Sequence, residues 1–205
     1  YVRTYVCTYS TEAQPPLCID QIPCQRYLPQ AILFRAIVDA KIPALVRTQV
    51  MRNGPDDSIR GACFGVSRTK SRVMKCRNGR ESTATSALLK AIIASAKVAH
   101  PAFTFTSVQV NVDLRASLHV DTSNAGPSLF AEVGPFSGGG LWETNLIESA
   151  LLSRGLWHIC DGRHPHCTLP FEGQRASVVI FTTDAASQLY EGGACPRSVL
   201  AQARG

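Results

Sequence analysis

The spacing of apolar residues predicts two helices in the first hundred residues. Residues 31–40 are apolar apart from Arg35 and Asp39, which stand four positions apart as a helical ion pair does, and Pro43 follows as a helix breaker. Residues 85–99 repeat apolar side chains at helical spacing and begin with hydroxyl residues that can cap a helix. The pattern therefore predicts one short helix and one longer helix, each with a single buried face.

After residue 100 the period of the pattern shortens to two, which is typical of strands. Residues 103–112, 128–133 and 175–182 predict strands, and residues 137–140 predict a tight turn between strands. Helices followed by closely spaced antiparallel strands indicate an α+β fold. We expect a double-stranded β-helix core, that is, a jelly-roll or cupin-like barrel, flanked by N-terminal helices.

The length and composition are those of one globular domain: 205 residues, 45% of them hydrophobic. We expect a single domain over residues 1–205. Within it, residues 1–100 form a basic helical and irregular lead-in packed on the barrel, residues 101–183 form the jelly-roll half, and residues 184–205 form a tail. No apolar window is long enough to cross a membrane, which predicts no membrane association. Because the chain begins with Tyr1 and not Met, we expect it to be a piece of a longer protein.

Positive charge is concentrated in the first half of the chain. Residues 1–100 hold 15 Lys and Arg against 6 Asp and Glu, whereas residues 101–205 hold 6 against 9, within a net charge of +6. The most basic segment predicts a hairpin or loop and contains Arg68, Lys70, Arg72, Lys75, Arg77 and Arg80. Such a field attracts polyanions, so nucleic acid is the leading class of partner. A solvated basic face is the simpler interpretation, and charge alone favours it.

The eight cysteines form no CxxC pair and no repeated spacing, which argues against a structural zinc site. A chain of this size has a sufficient core without disulfides, so we expect reduced thiols and an intracellular protein.

The candidate chemistry lies in His119, Asp121 and His166. Residues two apart on a strand face the same way, so His119 and Asp121 can point toward one ion, and His166 from a distant strand would complete two nitrogens and one carboxylate. That ligand set is the one used by non-haem Fe(II) oxygenases. A buried His–Asp hydrogen-bonded pair is the plainer alternative for the first two residues. His164 remains open as the third ligand, since it stands two positions before His166.

Arg175 and Ser177 open a buried apolar strand nine residues after His166. A buried guanidinium requires an anion, and its planar fork suits a carboxylate in two-point contact. A dicarboxylate bound to iron at one end would supply that anion at the other, with the Ser177 hydroxyl adding a hydrogen bond.

Four segments, FTSVQVN, LHVDTSNAGPS, GPFSGGGLWE and WHICDGRHPHCTLPFEGQRASVVIFTT, resemble the Fe(II)/2-oxoglutarate-dependent dioxygenases, in particular the group of TET and J-binding proteins that oxidises methyl groups of nucleobases. The resemblance covers roughly residues 100–183. It implies Fe(II), 2-oxoglutarate and O2 as cofactor and co-substrates, with ascorbate as a candidate reductant. It implies these roles: His119, Asp121 and His166 as iron ligands, Arg175 and Ser177 as the anchor of the distal carboxylate, and Asn111 and Asn124 as further polar contacts.

The resulting hypothesis is a dioxygenase that hydroxylates a C–H bond, foremost the methyl group of 5-methylcytosine or thymine in nucleic acid. DNA is favoured over RNA, and the protein would be nuclear if its source is a eukaryote. Two alternatives remain: the same chemistry on a protein side chain or small molecule, and a non-enzymatic module that binds nucleic acid on the same fold.

Overall fold

The computed structural model describes residues 30–44, 59–68, 73–77, 83–144 and 155–184. Two helices are present in this part of the chain, α1 (Gln30–Asp39) and α2 (Thr83–Ala99). The strands are β1 (Arg60–Arg68), β2 (Val73–Arg77), β3 (Ser107–Val112), β4 (Ser128–Val133), β5 (Phe136–Gly138), β6 (Leu141–Glu143), β7 (His158–Cys160), β8 (His166–Thr168), β9 (Phe171–Gly173) and β10 (Ala176–Phe181). Neither described helix has the length and apolarity needed to cross a bilayer. The predictions for the first 29 residues and for the C-terminal tail after Asp184 fall outside the described residues.

The strands form an antiparallel jelly-roll core. Six strands make one sheet in the order β2-β1-β3-β10-β4-β7, and the others pair as β5-β9 and β6-β8. An isolated antiparallel bridge joins His119 to His166 and extends the β6-β8 pair by a third segment. The predicted α+β class, with a jelly-roll core and flanking helices, is confirmed. β1 and β2 belong to the first hundred residues and nevertheless pair into the large sheet.

The two faces of the large sheet have different surroundings, because side chains alternate along each strand. On one face, Val110, Val178 and Ala131 stand in register across the three central strands and belong to the main hydrophobic core. The same core contains Leu88 and Ile92 of α2, so this face is covered by the helices. The opposite face lines the interior of the jelly roll and carries the polar residues described below.

Two boundaries differ from the sequence-based expectation. α2 begins at Thr83, two to three residues before the predicted cap at Thr85 or Ser86, and Thr85 is buried within its first turn. β3 begins at Ser107 rather than at residue 103. The Lys97 ammonium donates to the carbonyl oxygens of Pro101 and Phe103, at 3.2 and 2.6 Å, and so holds the chain in a loop after the helix. Pairing with the sheet can start only after this loop.

The buried face of α2 generates a stability prediction. Ile92 has no exposed surface, so we expect Ile92→Ala to lower the free energy of unfolding by about 2 to 5 kcal/mol. Val98 lies on the same helix and is 54% exposed, and Val98→Ala should change it by less than about 0.5 kcal/mol. Urea unfolding of both variants provides the measurement. Equal losses in the two variants would contradict the assignment of the buried face.

Candidate metal and co-substrate site

The structure brings His119, Asp121 and His166 together at one end of the jelly roll. One ligand atom from each lies within 4.8 Å of the others. Nε2 of His119 lies 3.7 Å from Oδ1 of Asp121, and Nε2 of His166 lies 3.8 Å from Oδ2 of the same carboxylate. These distances exceed a hydrogen bond. Both imidazoles therefore face a carboxylate across a gap of the kind that a shared cation fills.

The other ring nitrogen of each histidine is anchored to the backbone. Nδ1 of His119 donates to the Ser117 carbonyl oxygen at 2.6 Å, and Nδ1 of His166 donates to the His164 carbonyl oxygen at 2.8 Å. A carbonyl oxygen can only accept, so in each neutral imidazole the proton is on Nδ1 and the lone pair is on Nε2. This is the arrangement found around metal-ligating histidines, in which an outer partner fixes the tautomer.

A segment of five residues, 161–165, contacts both stretches of chain that carry the candidate ligands. The Gly162 carbonyl accepts the Asp121 N–H at 2.7 Å, and the His164 carbonyl holds His166. A Cβ atom at Gly162 would lie 3.1 Å from Oδ2 of Asp121 and 2.9 Å from Nδ2 of Asn124. Glycine therefore permits the close packing of this segment against the acidic ligand.

Glu143 holds the 161–165 segment in place, and the sequence analysis missed it. It is 4% exposed, it pairs with His166 in register, and its Oε2 accepts the Asp161 N–H at 3.0 Å. Its Oε1 lies 3.2 Å from Nδ1 of His164, an ion-pair distance. His164, the alternative third ligand, thus has its Nδ1 directed at Glu143, whereas His166 stands in the cluster. A lone acidic residue in an apolar strand was the only signal in the sequence for Glu143.

Carboxylates lie near the histidines, and that of Asp161 is ion-paired with Arg163. Hydrogen bonds from the side chain of Arg163 hold the pKa of Asp161 at about 2, so this carboxylate is ionised. Burial raises the pKa of the Cys160 thiol to about 12, and the charges of Glu143 and Asp121 add to the effect. Cys160 therefore stays a protonated thiol at neutral pH, and a thiol in that form is no metal ligand. Cys160 and Cys167 are both free.

Arg175 lies in the interior of the jelly roll, as a receptor for an anion would, and it already has a carboxylate partner. Its Nε donates to Oε2 of Glu132 at 2.8 Å, and the two side chains are 2% and 3% exposed. Burial lowers the pKa of Arg175 from its ordinary value, while Glu132 and Asp113 oppose that shift. The sequence analysis expected a co-substrate as the anion beside Arg175, and the structure supplies Glu132 from β4.

Ser177 and Asn111 lie beside Arg175 on a polar row that crosses the sheet. Ser177 pairs in register with Asn111 on β3 and with Glu132 on β4. Nδ2 of Asn111 donates to Oγ of Ser177 at 3.4 Å, and Oδ1 of Asn111 accepts from Nε2 of Gln109 at 2.8 Å. Asn124 lies elsewhere, next to Asp121 and Gly162. The two asparagines thus have different neighbours, Ser177 for Asn111 and Asp121 with Gly162 for Asn124.

The basic residues of the predicted interface are only partly described. Arg68 ends β1, and Lys75 and Arg77 lie on β2, which pairs with β1 as an antiparallel hairpin. The predicted hairpin is confirmed in these two strands. Lys70, Arg72 and Arg80 fall outside the described residues.

Among solved structures, NgTET1 in complex with 5mC DNA is similar to this chain, with a TM-score of 0.54 and 13% sequence identity over 77% of this chain and 69% of that one. The chain has the fold of NgTET1. The resemblance to the TET group is thereby confirmed at the level of the fold. OsALKBH1 is also similar, with a TM-score of 0.43 and 15% identity over 75% of this chain and 90% of that one. No protein-family model and no curated protein matches the chain.

The position of Glu143 generates a prediction for metal binding. Glu143 offers one oxygen to the Asp161 N–H and the other to Nδ1 of His164. In Glu143→Gln an NH2 group replaces one of these oxygens, so one of the two contacts loses its acceptor. We expect the affinity for Co(II) to fall about 10- to 100-fold, as when other outer partners of metal ligands are lost. Titration followed by visible absorption gives the Kd.

Glu172→Gln is the matched control, because Glu172 is an exposed glutamate on β9. It should bind Co(II) as the unmodified chain does. An unchanged Kd in Glu143→Gln would show that the 161–165 segment does not position the ligands.

Proposed function

We propose that the protein is an Fe(II)- and 2-oxoglutarate-dependent dioxygenase that hydroxylates a C–H bond. The observation that carries the proposal is the group of His119, Asp121 and His166, with both Nδ1 atoms anchored to carbonyl oxygens. Two imidazole nitrogens and one carboxylate are the donors that non-haem Fe(II) oxygenases use, because they leave coordination positions for co-substrates. The fold shared with NgTET1 supports the same class.

The residues present fit a divalent cation. Each histidine directs an Nε2 lone pair toward Asp121, and hydrogen bonds from Nδ1 prevent either ring from turning away. The carboxylate of Asp121 faces both Nε2 atoms, and a cation between these groups would balance its charge. Fe(II) held by these three residues, together with 2-oxoglutarate and O2, would supply the oxidising chemistry, and ascorbate could keep the metal reduced.

The remaining interior residues would bind and orient the co-substrate. Arg175 and Ser177 would hold its distal carboxylate, with Asn111 fixing the Ser177 hydroxyl. Asn124, packed beside Asp121 and Gly162, would stabilise the acidic ligand from the side. The rings of Phe130, Phe136 and Phe171 and the sheet around them keep water away from the guanidinium.

We propose a pyrimidine methyl group in nucleic acid as the substrate, either 5-methylcytosine or thymine, with DNA ahead of RNA. Support comes from the NgTET1 structure, which is a complex with 5mC DNA, and from the excess of positive charge in the first hundred residues. The basic segment from Arg68 to Arg80 would contact phosphates. A base in a duplex must leave the stack to reach a buried centre, and phosphate contacts would offset that energy.

Two further proposals accompany this function. Residues 1–205 would act as one domain, since a single main core joins α1, α2 and the large sheet. A nucleic-acid substrate would place the protein inside the cell, in the nucleus if its source is a eukaryote.

Turnover with Fe(II), 2-oxoglutarate and O2 tests the proposal. Methylated DNA should yield succinate and a hydroxymethyl base in equal amounts, measured by mass spectrometry. His166→Ala removes a candidate metal ligand and should lower turnover by more than about 100-fold. This loss exceeds the one expected when only a hydrogen-bonding partner of a ligand is removed. His100→Ala, directly after α2 on the helix-covered side of the sheet and outside the metal cluster, serves as the control and should retain turnover. Full turnover in His166→Ala would refute the assignment.

Parallel assays separate the alternatives. Succinate formed with peptide or small-molecule pools, and with neither DNA nor RNA, would keep the chemistry and change the substrate. Salt-sensitive DNA binding without any consumption of 2-oxoglutarate would indicate a non-enzymatic binding module.

A further inference from the structure

The side chain of Glu132 is buried in the interior of the jelly roll to the same extent as that of its partner Arg175. Its Oε2, which accepts from Arg175, also accepts the Gly140 N–H at 3.2 Å. Gly139 has a φ of 80°, and a Cβ atom there would lie 2.8 Å from Cε2 of Phe136 and 3.5 Å from Nε of Arg175. Glycine at this position therefore lets the backbone close around the ion pair. The contact between Glu132 and Arg175 is thus part of the fold.

Aromatic rings surround the guanidinium and exclude water from the pair. The centre of the Arg175 guanidinium lies 5.3 Å from the ring of Phe171 and 5.9 Å from the rings of Phe130 and Phe136. Nη1 lies 3.4 Å from the Leu114 carbonyl oxygen. Charges interact strongly in such dry surroundings, and an unbalanced charge is costly there.

The positive charge of Arg175 is already neutralised by a carboxylate of the protein. Arg175 carries one positive charge and Glu132 one negative charge in direct contact. A second carboxylate, that of Asp113, accepts the backbone N–H of Arg175 at 2.8 Å. A further carboxylate brought to Arg175 would therefore meet two carboxylates that are already there, and it would leave the buried group with excess negative charge.

We propose that Glu132 determines co-substrate specificity: it is an internal carboxylate that competes with the distal carboxylate of 2-oxoglutarate for Arg175. The inference rests on the proposed function and refines it. The receptor is an arginine–glutamate pair without net charge, so a 2-oxo acid with an uncharged polar distal end fits it about as well as 2-oxoglutarate does. Removing the charge of Glu132 should convert the pair into a selective receptor for a carboxylate.

Binding to the 205-residue chain loaded with Co(II) tests the proposal without any turnover. The two ligands are 2-oxoglutarate and its 5-methyl ester, which keeps the metal-binding end and replaces the distal carboxylate by an uncharged group. Isothermal titration calorimetry gives both Kd values for the unmodified chain, for Glu132→Gln and for Glu172→Gln. Glutamine keeps the shape of the side chain and an oxygen that can accept from Arg175.

We expect the unmodified chain and Glu172→Gln to prefer 2-oxoglutarate over the ester by less than about 10-fold, a difference below about 1.4 kcal/mol. Glu132→Gln should bind 2-oxoglutarate at least about 10-fold more tightly than the unmodified chain and leave ester binding nearly unchanged, because only the distal carboxylate gains from the loss of a competing charge. Weaker or unchanged binding of 2-oxoglutarate in Glu132→Gln would overturn the inference.

Two other outcomes are also decisive. If Glu132→Gln does not fold, the comparison in the unmodified chain decides, and a preference for 2-oxoglutarate above about 10-fold overturns the inference while the proposed function stands. If the Co(II)-loaded chain binds neither ligand, the proposed co-substrate is wrong and the inference fails with it.

Discussion

Two reciprocal backbone hydrogen bonds join His119 to His166, each at 3.0 Å, across 47 positions of sequence. Each residue donates its N–H to the carbonyl of the other, as in an antiparallel bridge. The pairing sets the two rings 4.3 Å apart, centre to centre, and Asp121 follows on the same side because it stands two residues after His119. Since the bridge extends the β6-β8 pair, the geometry of the candidate centre is fixed by the same ladder that closes the jelly roll. The backbone pairing that extends the β6-β8 ladder therefore also brings the two histidines together.

Because side chains alternate along each strand, one face of the large sheet packs on the helices and the other carries the polar residues of the candidate site. Leu129, Ala131 and Val133 of β4 face the helices, whereas Phe130 and Glu132 face the interior. Every residue of β4 is buried, so its sequence reads as almost continuously apolar and gives little sign of two different environments. An acidic residue in such a strand is tolerated because the neighbouring strand provides a guanidinium at hydrogen-bonding distance. A buried pair of this kind adds little net stability, but either residue alone would be strongly destabilising.

Much of the fold and part of the site could be predicted from the sequence, because local pattern carries that information. β4 spans Ser128–Val133 as predicted, and His119 and Asp121 do come together as the spacing of two suggested, although neither lies in one of the strands. Long-range contacts were harder to infer. The sequence around Arg175 or Glu132 does not indicate that the two residues meet. Their contact depends on the register between β4 and β10, which are neighbours in the sheet but are separated in the chain by five other strands. The role of Arg175 as an anion receptor could therefore be inferred only from its guanidinium group. Its partner in the protein, Glu132, is identified by the register of the two strands.

The two ends of the barrel interior differ in charge balance, and this difference is informative. Around Asp121, the Nε2 atoms of two histidines face the carboxylate at 3.7 and 3.8 Å, beyond hydrogen-bonding distance. A divalent cation would fit between these three groups. At the other end Arg175 and Glu132 neutralise each other in a dry aromatic setting, and that end needs no ligand to be stable. Under the proposed function, a co-substrate would be held by the metal near Asp121 and would meet Glu132 as a competitor at Arg175. Its affinity would then come from the metal, and its selectivity from Glu132.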